Sequence, residues 1–259
     1  MYIRPVHAEL DLRTLHQFIR QYPLGLFTTA IPHPTHATLQ TTHIPFVLDS
    51  PTDYDTDSSR GVLRGHMARA NPQCKAIIDS LVESGADELK DEVLVLFNAP
   101  VHSYVTPKFY VETKPADGKV VPTWDYAAVQ VYGRAKVYHV NNEATSAFLQ
   151  RQVEDLTNQQ ESAVVEAASK RGKVEGEQWE VDDAPKKYVD LLKKAIIGLE
   201  IRIERIEGRF KLSQENSDGD WRGVVEGFKG LGTEEGQKMA EMIQERGEHR
   251  LAKGGGDES

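Results

Sequence analysis

The chain has one cysteine, Cys74, in 259 residues. An intrachain disulfide is thereby excluded, and the usage fits a reducing compartment. Basic residues are also in short supply: 31 lysines and arginines stand against 40 aspartates and glutamates, a formal net charge of −9. General attraction to nucleic acid or to an anionic membrane is therefore not favoured, although a local basic patch remains open. Nowhere do eighteen uncharged apolar residues run together, and the opening MYIRPVHAELDL has no apolar core. We expect a cytoplasmic protein with no membrane partner.

Signatures of catalysis are missing as well. There is no G-x-G-x-x-G after a strand and no G-x-x-x-x-G-K-[ST], so neither a dinucleotide fold nor a P-loop is supported. GFKGLG from Gly227 matches a glycine motif in composition alone and follows a helix pattern. H-E-x-x-H, paired-cysteine zinc spacing and a nucleophile elbow are absent. His33 and His36 lack a third ligand and read as loop histidines, so no metal site is expected and no catalytic residue can be named. Cys74 falls in helical register with Ile77 and Ile78, which favours a buried thiol over a reactive one.

What is present centres on GVLRGHMARANPQ, Gly61 to Gln73. Val62, Arg64, His66 and Ala68 alternate onto one face of a strand, with Leu63 and Met67 on the other. Asn71 can cap a helix that Pro72 begins, and Cys74, Ile77, Ile78, Leu81 and Val82 give that helix an apolar side. Cationic side chains and free helical N–H groups at one junction suit an anion, most plausibly a phosphate. The alternative is an Arg64 that pairs with a carboxylate of the protein itself.

The remaining pattern is rich in strands. A helix capped by Asp11 precedes a hairpin made of Gly25–Ala30 and Ala37–Leu48. Val93–Phe97 reads as a strand buried on both sides, and Val120–Val140 alternates strictly over its second half. Ile197, Leu199, Ile201 and Ile203 define one face of another strand, preceded by a helix with Tyr188, Leu191, Leu192 and Ala195 on one side. In PTWDY, Trp124 suits a core or a flat ligand equally well. Arg209 and Lys211 share a face that is either a solvated edge or part of a site. We place one domain at 1–228 and a polar tail, partly helical or disordered and expected to be dispensable, at 229–259.

Four blocks in this order carry a resemblance: RGHMARANPQ from Arg64, KVVPTWDYAAVQVYGR from Lys119, DAPKKYVDLLKKAIIGLEI from Asp183 and EGRFKLSQ from Glu207. Together they resemble the PaiB-type family of FMN-binding negative transcriptional regulators, over about residues 1 to 228. The resemblance implies a mainly β fold with peripheral helices, an FMN-binding split β-barrel of the pyridoxamine-phosphate-oxidase type. It also implies a homodimer with FMN at the subunit interface. On that basis Arg64 and His66 would hold the FMN phosphate, helped by Arg69 and the helix start at Asn71. Thr42 and His43 would lie near the flavin edge, and Trp124, Gln130, Lys211, Ser213 and Gln214 would approach from the other subunit. One departure stands out: the family's motif commonly reads PTWNY, and Asp125 here puts an acid where it could weaken an adjacent anionic cofactor. The implied role is a flavin-binding regulator. An FMN-dependent oxidoreductase of a small cytosolic molecule and a haem-binding split barrel are the alternatives, and direct nucleic-acid binding is not expected, since no recognition helix is visible.

Overall fold

The computed structural model describes residues 1–54, 59–169 and 178–254. In chain order the elements are β1 (Ala8–Glu9), α1 (Leu12–Gln21), β2 (Leu24–Ala30), β3 (Leu39–Pro45), β4 (Val47–Asp49) and β5 (Val62–Ala68). Then come α2 (Pro72–Ser84), β6 (Val93–Asn98), β7 (Ser103–Val105), α3 (Thr113–Ala116) and β8 (Thr123–Tyr138). The chain continues with α4 (Glu143–Ser169), α5 (Lys186–Lys194), β9 (Ile196–Lys211), α6 (Asp218–Lys229) and α7 (Glu234–Gly254). Residues 55–58, residues 170–177 and the last residues of the tail, 255–259, lie outside the described residues. Two compact units divide the chain, a larger one of 12–97 and 130–206 and a smaller one of 1–11, 98–129 and 207–259.

In the larger unit the strands follow the order β3-β2-β6-β8-β9-β5-β4. Pairing is antiparallel between β2 and β3, β2 and β6, β5 and β9, and β4 and β5. The sheet curls on itself. A Cβ added at Gly65 would meet Ile44 Cγ2 and Phe46 Cε1 at 3.0 Å, so β5 packs across the interior against the end of β3, at the far side of the strand order. Only a residue without a side chain allows that approach. This curled half-barrel, flanked by helices, is the split-barrel architecture. Its interior is apolar, with Phe27, Ile44, Phe46, Leu63, Val95, Phe97, Leu199 and Ile201 buried.

Most elements follow from local pattern, and the departures have identifiable causes. The strand expected over Ala37–Leu48 divides at Phe46, whose ring is buried and whose N–H bonds the Pro23 carbonyl at 2.9 Å. β3 can then pair with β2 while β4 turns away to pair with β5. Leu94 and Leu96 of β6 are half-buried, so this strand is fully covered on one face only. Pro185 holds the N-cap position of α5, and the apolar side chains that the sequence sets on one side of it, Tyr188, Leu191 and Leu192, are exposed.

In the smaller unit β1 pairs with the end of β9, and β7 with the start of β8. Gly227 of α6 lies so close to Phe109 that a Cβ there would collide with the ring. The tail is built into this unit. Met239, Ala240 and Ile243 of α7 are buried together with Val224, Val225 and Phe228 of α6, and Arg246 pairs with Glu9. Ile243→Ala should therefore cost about 2–5 kcal/mol of stability, as for other buried aliphatic truncations. Urea unfolding of the full chain measures it, and a loss below about 0.5 kcal/mol, the range of surface substitutions, would show that α7 adds nothing to the core.

Candidate functional site

The junction of β5 and α2, in the larger unit, gathers a cluster of polar groups. Asn71 is extended, with φ −63° and ψ 131°, and its side-chain oxygen accepts from the Gln73 N–H at 2.8 Å. Its amide Nδ2 donates to Thr42 Oγ1 at 3.0 Å, and that hydroxyl donates to Gln73 Oε1 at 2.6 Å. Gln73 Nε2 in turn reaches the carbonyls of Phe27 and Gln40, both at 3.1 Å, and Thr29 Oγ1 at 3.0 Å. The structure thus brings Thr42 and Asn71 together, with His43 exposed beside Thr42 on β3. Gln73 is the hub of the cluster, and nothing in the sequence marks it beyond its place one residue after Pro72.

Arg69 precedes this helix start. Its Nε donates to the Lys194 carbonyl at 3.0 Å and its Nη2 to the His139 carbonyl at 2.6 Å. Carbonyls satisfy N–H groups without cancelling charge, and no carboxylate among the described residues forms an ion pair with Arg69. A partly exposed cation is left at the N-terminal end of α2, where the helix dipole adds to it.

Arg64 and His66 have different surroundings from those the phosphate expectation supposed. Arg64 is 3% exposed; its Nε donates to Asp49 Oδ2 at 2.6 Å, and Nη2 donates to Asp49 Oδ1 at 2.8 Å and Asp155 Oδ2 at 2.7 Å. Its Nη1 reaches Gln152 Oε1 at 3.3 Å. Burial alone would lower the guanidinium pKa, and the two carboxylates outweigh it and raise it. The charge is fully matched within the protein, the alternative that the sequence left open. His66 pairs across the sheet with Gly198, and its buried Nδ1 has no partner among the described residues. Burial pushes its pKa down, so it is a neutral ring near pH 7 and not a cation for a phosphate.

The other predicted residues fall into two sets. Gln130, in the larger unit, is half-buried and accepts from the Tyr132 hydroxyl at 2.9 Å. In the smaller unit Lys211, Ser213 and Gln214 do come together, but around the protein's own groups. Lys211 Nζ lies 3.2 Å and Ser213 Oγ 2.6 Å from the carboxylate of the fully buried Asp125. Gln214 accepts from the Leu212 N–H at 2.6 Å and donates to the carbonyls of Val6 and Phe210. Asp125 is therefore turned inward against a lysine. Trp124, the next residue on the strand, is 48% exposed. Its Nε1 donates to His102 Nδ1 at 3.2 Å, and its ring meets the edge of the exposed Tyr104, its cross-strand neighbour. Cys74 is buried and its thiol is pushed up to about 11 by burial, which makes it inert. A cleft of about 860 Å³ beside α4 and α5, lined by Glu143, Glu154, Asp182, Lys186 and Lys193, contains none of the predicted residues.

Residues 1–205 match the family described as "Putative FMN-binding domain". The chain belongs to this FMN-binding-domain family. An uncharacterised protein of Emericella nidulans is 53% identical over 254 residues, covering 96% of this chain and 98% of that protein. The protease synthase and sporulation protein PAI 2 of Bacillus subtilis is 24% identical over 246 residues, covering 95% of this chain and 98% of that protein. Among solved structures, the flavocytochrome Anf3 from Azotobacter vinelandii aligns with a TM-score of 0.46 at 11% identity, over 85% of this chain and 78% of that chain.

Arg64→Met strands two carboxylates that Arg151 already approaches at 3.6 and 3.4 Å. Breaking a buried pair costs about 3–5 kcal/mol, and the partial exposure of Asp49 and Asp155 places this substitution at the lower end. Denaturant unfolding gives the value; a loss under about 1 kcal/mol would mean that Arg64 is not a structural anchor.

Proposed function

We propose that this chain is a cytosolic flavoprotein that binds FMN, with the phosphate held at the start of α2 by Arg69 and Asn71 and with Thr42 and His43 near the flavin edge. The observation that carries this reading is the guanidinium of Arg69, bonded among the described residues to carbonyls and to no carboxylate, at a helix N-terminus in a chain of the FMN-binding-domain family. Its chemistry fits a phosphate: a planar cation with no carboxylate partner among the described residues, followed two residues later by the amide of Asn71 at a helix start. FMN, once bound, supplies reversible one- or two-electron redox chemistry; the residues of this chain anchor and orient it. Arg64 and His66 support the strand from the covered side and leave the anion to Arg69.

Two copies of the chain complete the proposal, with Trp124 of the partner subunit offered to the flavin ring. Exposed apolar side chains favour a covered surface: Trp124 and Tyr104 on one ribbon, and Tyr188, Leu191 and Leu192 on α5. Light scattering at low micromolar concentration should give a dimer, and a monomer that still binds FMN tightly would overturn the shared site. The role that the four resembling blocks imply is a flavin-linked regulator, and we take it to act through a protein partner, since a net charge of −9 opposes direct contact with DNA.

Protein purified with added FMN should stay yellow after desalting and release FMN on denaturation. Replacing Arg69 with alanine should weaken FMN about ten- to a hundredfold, the worth of one charge-assisted bond of about 1.5–3 kcal/mol, and leave riboflavin affinity almost unchanged. Equal losses for both flavins would remove Arg69 from the phosphate site, and a colourless protein without flavin affinity would end the proposal. Bleaching of bound flavin by NAD(P)H would move an oxidoreductase ahead of the regulator.

A further inference from the structure

A chain of polar side chains runs through the interior of the smaller unit. Ser213 Oγ donates to Asp125 Oδ2 at 2.6 Å, and Lys211 Nζ reaches Asp125 Oδ1 at 3.2 Å and Glu215 Oε1 at 3.5 Å. Glu215 Oε2 stands 3.2 Å from His7 Nε2, out of line for a full hydrogen bond, and His7 Nδ1 has no partner among the described residues. Asp125 is fully buried, and His7 and Ser213 are each 1% exposed. Ser213 holds φ +58°, a left-handed backbone that disfavours a side chain, where its hydroxyl meets Asp125. Such strain persists only where the surroundings over-determine it.

The charges in this chain do not balance. Two carboxylates flank one ammonium, and His7 is neutral because burial lowers its pKa despite Glu215. The other charged or titratable groups nearby are Arg209 of β9, which donates to the Tyr2 carbonyl, Tyr110 and Tyr104 on the segment before β8, and Asp220 of α6. None of them supplies a second cation to Asp125. We propose that the Ser213–Asp125–Lys211–Glu215–His7 chain is a proton-operated clasp: ionised at neutral pH it carries one negative charge too many, and mild acid places a proton on Asp125 and tightens the smaller unit.

The proton goes to Asp125 and not to Glu215 for a physical reason. Burial pushes the Asp125 carboxyl up to about 6, against its bonds from Ser213 and Lys211. Burial also raises Glu215, but its own backbone N–H, Lys211 and His7 outweigh that and hold it below the usual range. The folded value for Asp125 thus lies above the 3.8 of a free aspartate. Its contribution to stability is fully present below that free value and is lost as pH rises through the folded one. Buried neutral histidines act in the opposite sense, so the wild type must be compared with a variant that keeps them. This device is independent of the flavin.

The experiment is urea unfolding of the full chain and of Asp125→Asn from pH 5 to pH 7.5. An amide cannot titrate, yet it can still accept from Lys211 and bond to Ser213. The folding equilibrium constant of the wild type, divided by that of Asp125→Asn, should rise about tenfold on going from the higher pH to the lower. A ratio independent of pH, or one that falls, overturns the clasp. Should Asp125→Asn fail to fold, carbon-13 NMR of carboxyl-labelled aspartates in the wild type decides the matter. One aspartate titrating near pH 6 upholds the proposal, and all of them titrating below about pH 5 refutes it.

Discussion

A guanidinium that is 3% exposed must be matched where it lies, and Arg64 draws its partners from separate parts of the larger unit. Asp49 comes from β4, beside it in the sheet, while Gln152 and Asp155 come from α4, 88 and 91 residues along the chain. Leaving any of these bonds unmade would strand a buried charge. The match therefore locks the end strand β4 and the long helix α4 onto β5 at the same time. Gln152 returns a bond to the Arg64 carbonyl at 3.3 Å, which holds the helix against the strand backbone as well. On the other face of β5, Gly65 lets Ile44 and Phe46 pack directly against the strand and close the curl.

With β5 held in this way, the residues that follow it are placed without freedom to drift. Asn71 meets Thr42, and Gln73 ties α2 to β2 and β3. The two arginines of the RGHMARANPQ block consequently have opposite characters. Arg64 is neutralised by carboxylates, whereas Arg69 is bonded by carbonyls and retains its charge. A small anion discriminates between such groups, because only the second gains from an incoming negative charge.

The smaller unit manages charge by another route. Its buried acid, Asp125, has one lysine to share with Glu215, and the difference is made up by a hydroxyl and by the proton equilibrium. Apolar packing of α6 on α7 buries Phe228, Met239 and Ile243, so the unit that holds the polar chain has an apolar core of its own. The C-terminal segment reads as polar because its apolar residues are few, yet Met239, Ala240 and Ile243 among them face inward.

Much of the fold was legible along the chain. Asn71 and Pro72 announced α2, the alternation Ile197–Leu199–Ile201–Ile203 announced β9, and the four ordered blocks announced the family, because caps, periodicity and motif order are properties of neighbouring residues. The sequence could not say which of two arginines, five residues apart, would find carboxylate partners within the fold. Nor could it say that Lys211 and Ser213 would turn to Asp125, or that the Tyr188 face of α5 would remain uncovered. Each of these depends on partners brought in from dozens of residues away. The character of an ionisable group is set by its burial and by the charges around it, and those exist only once the chain has folded.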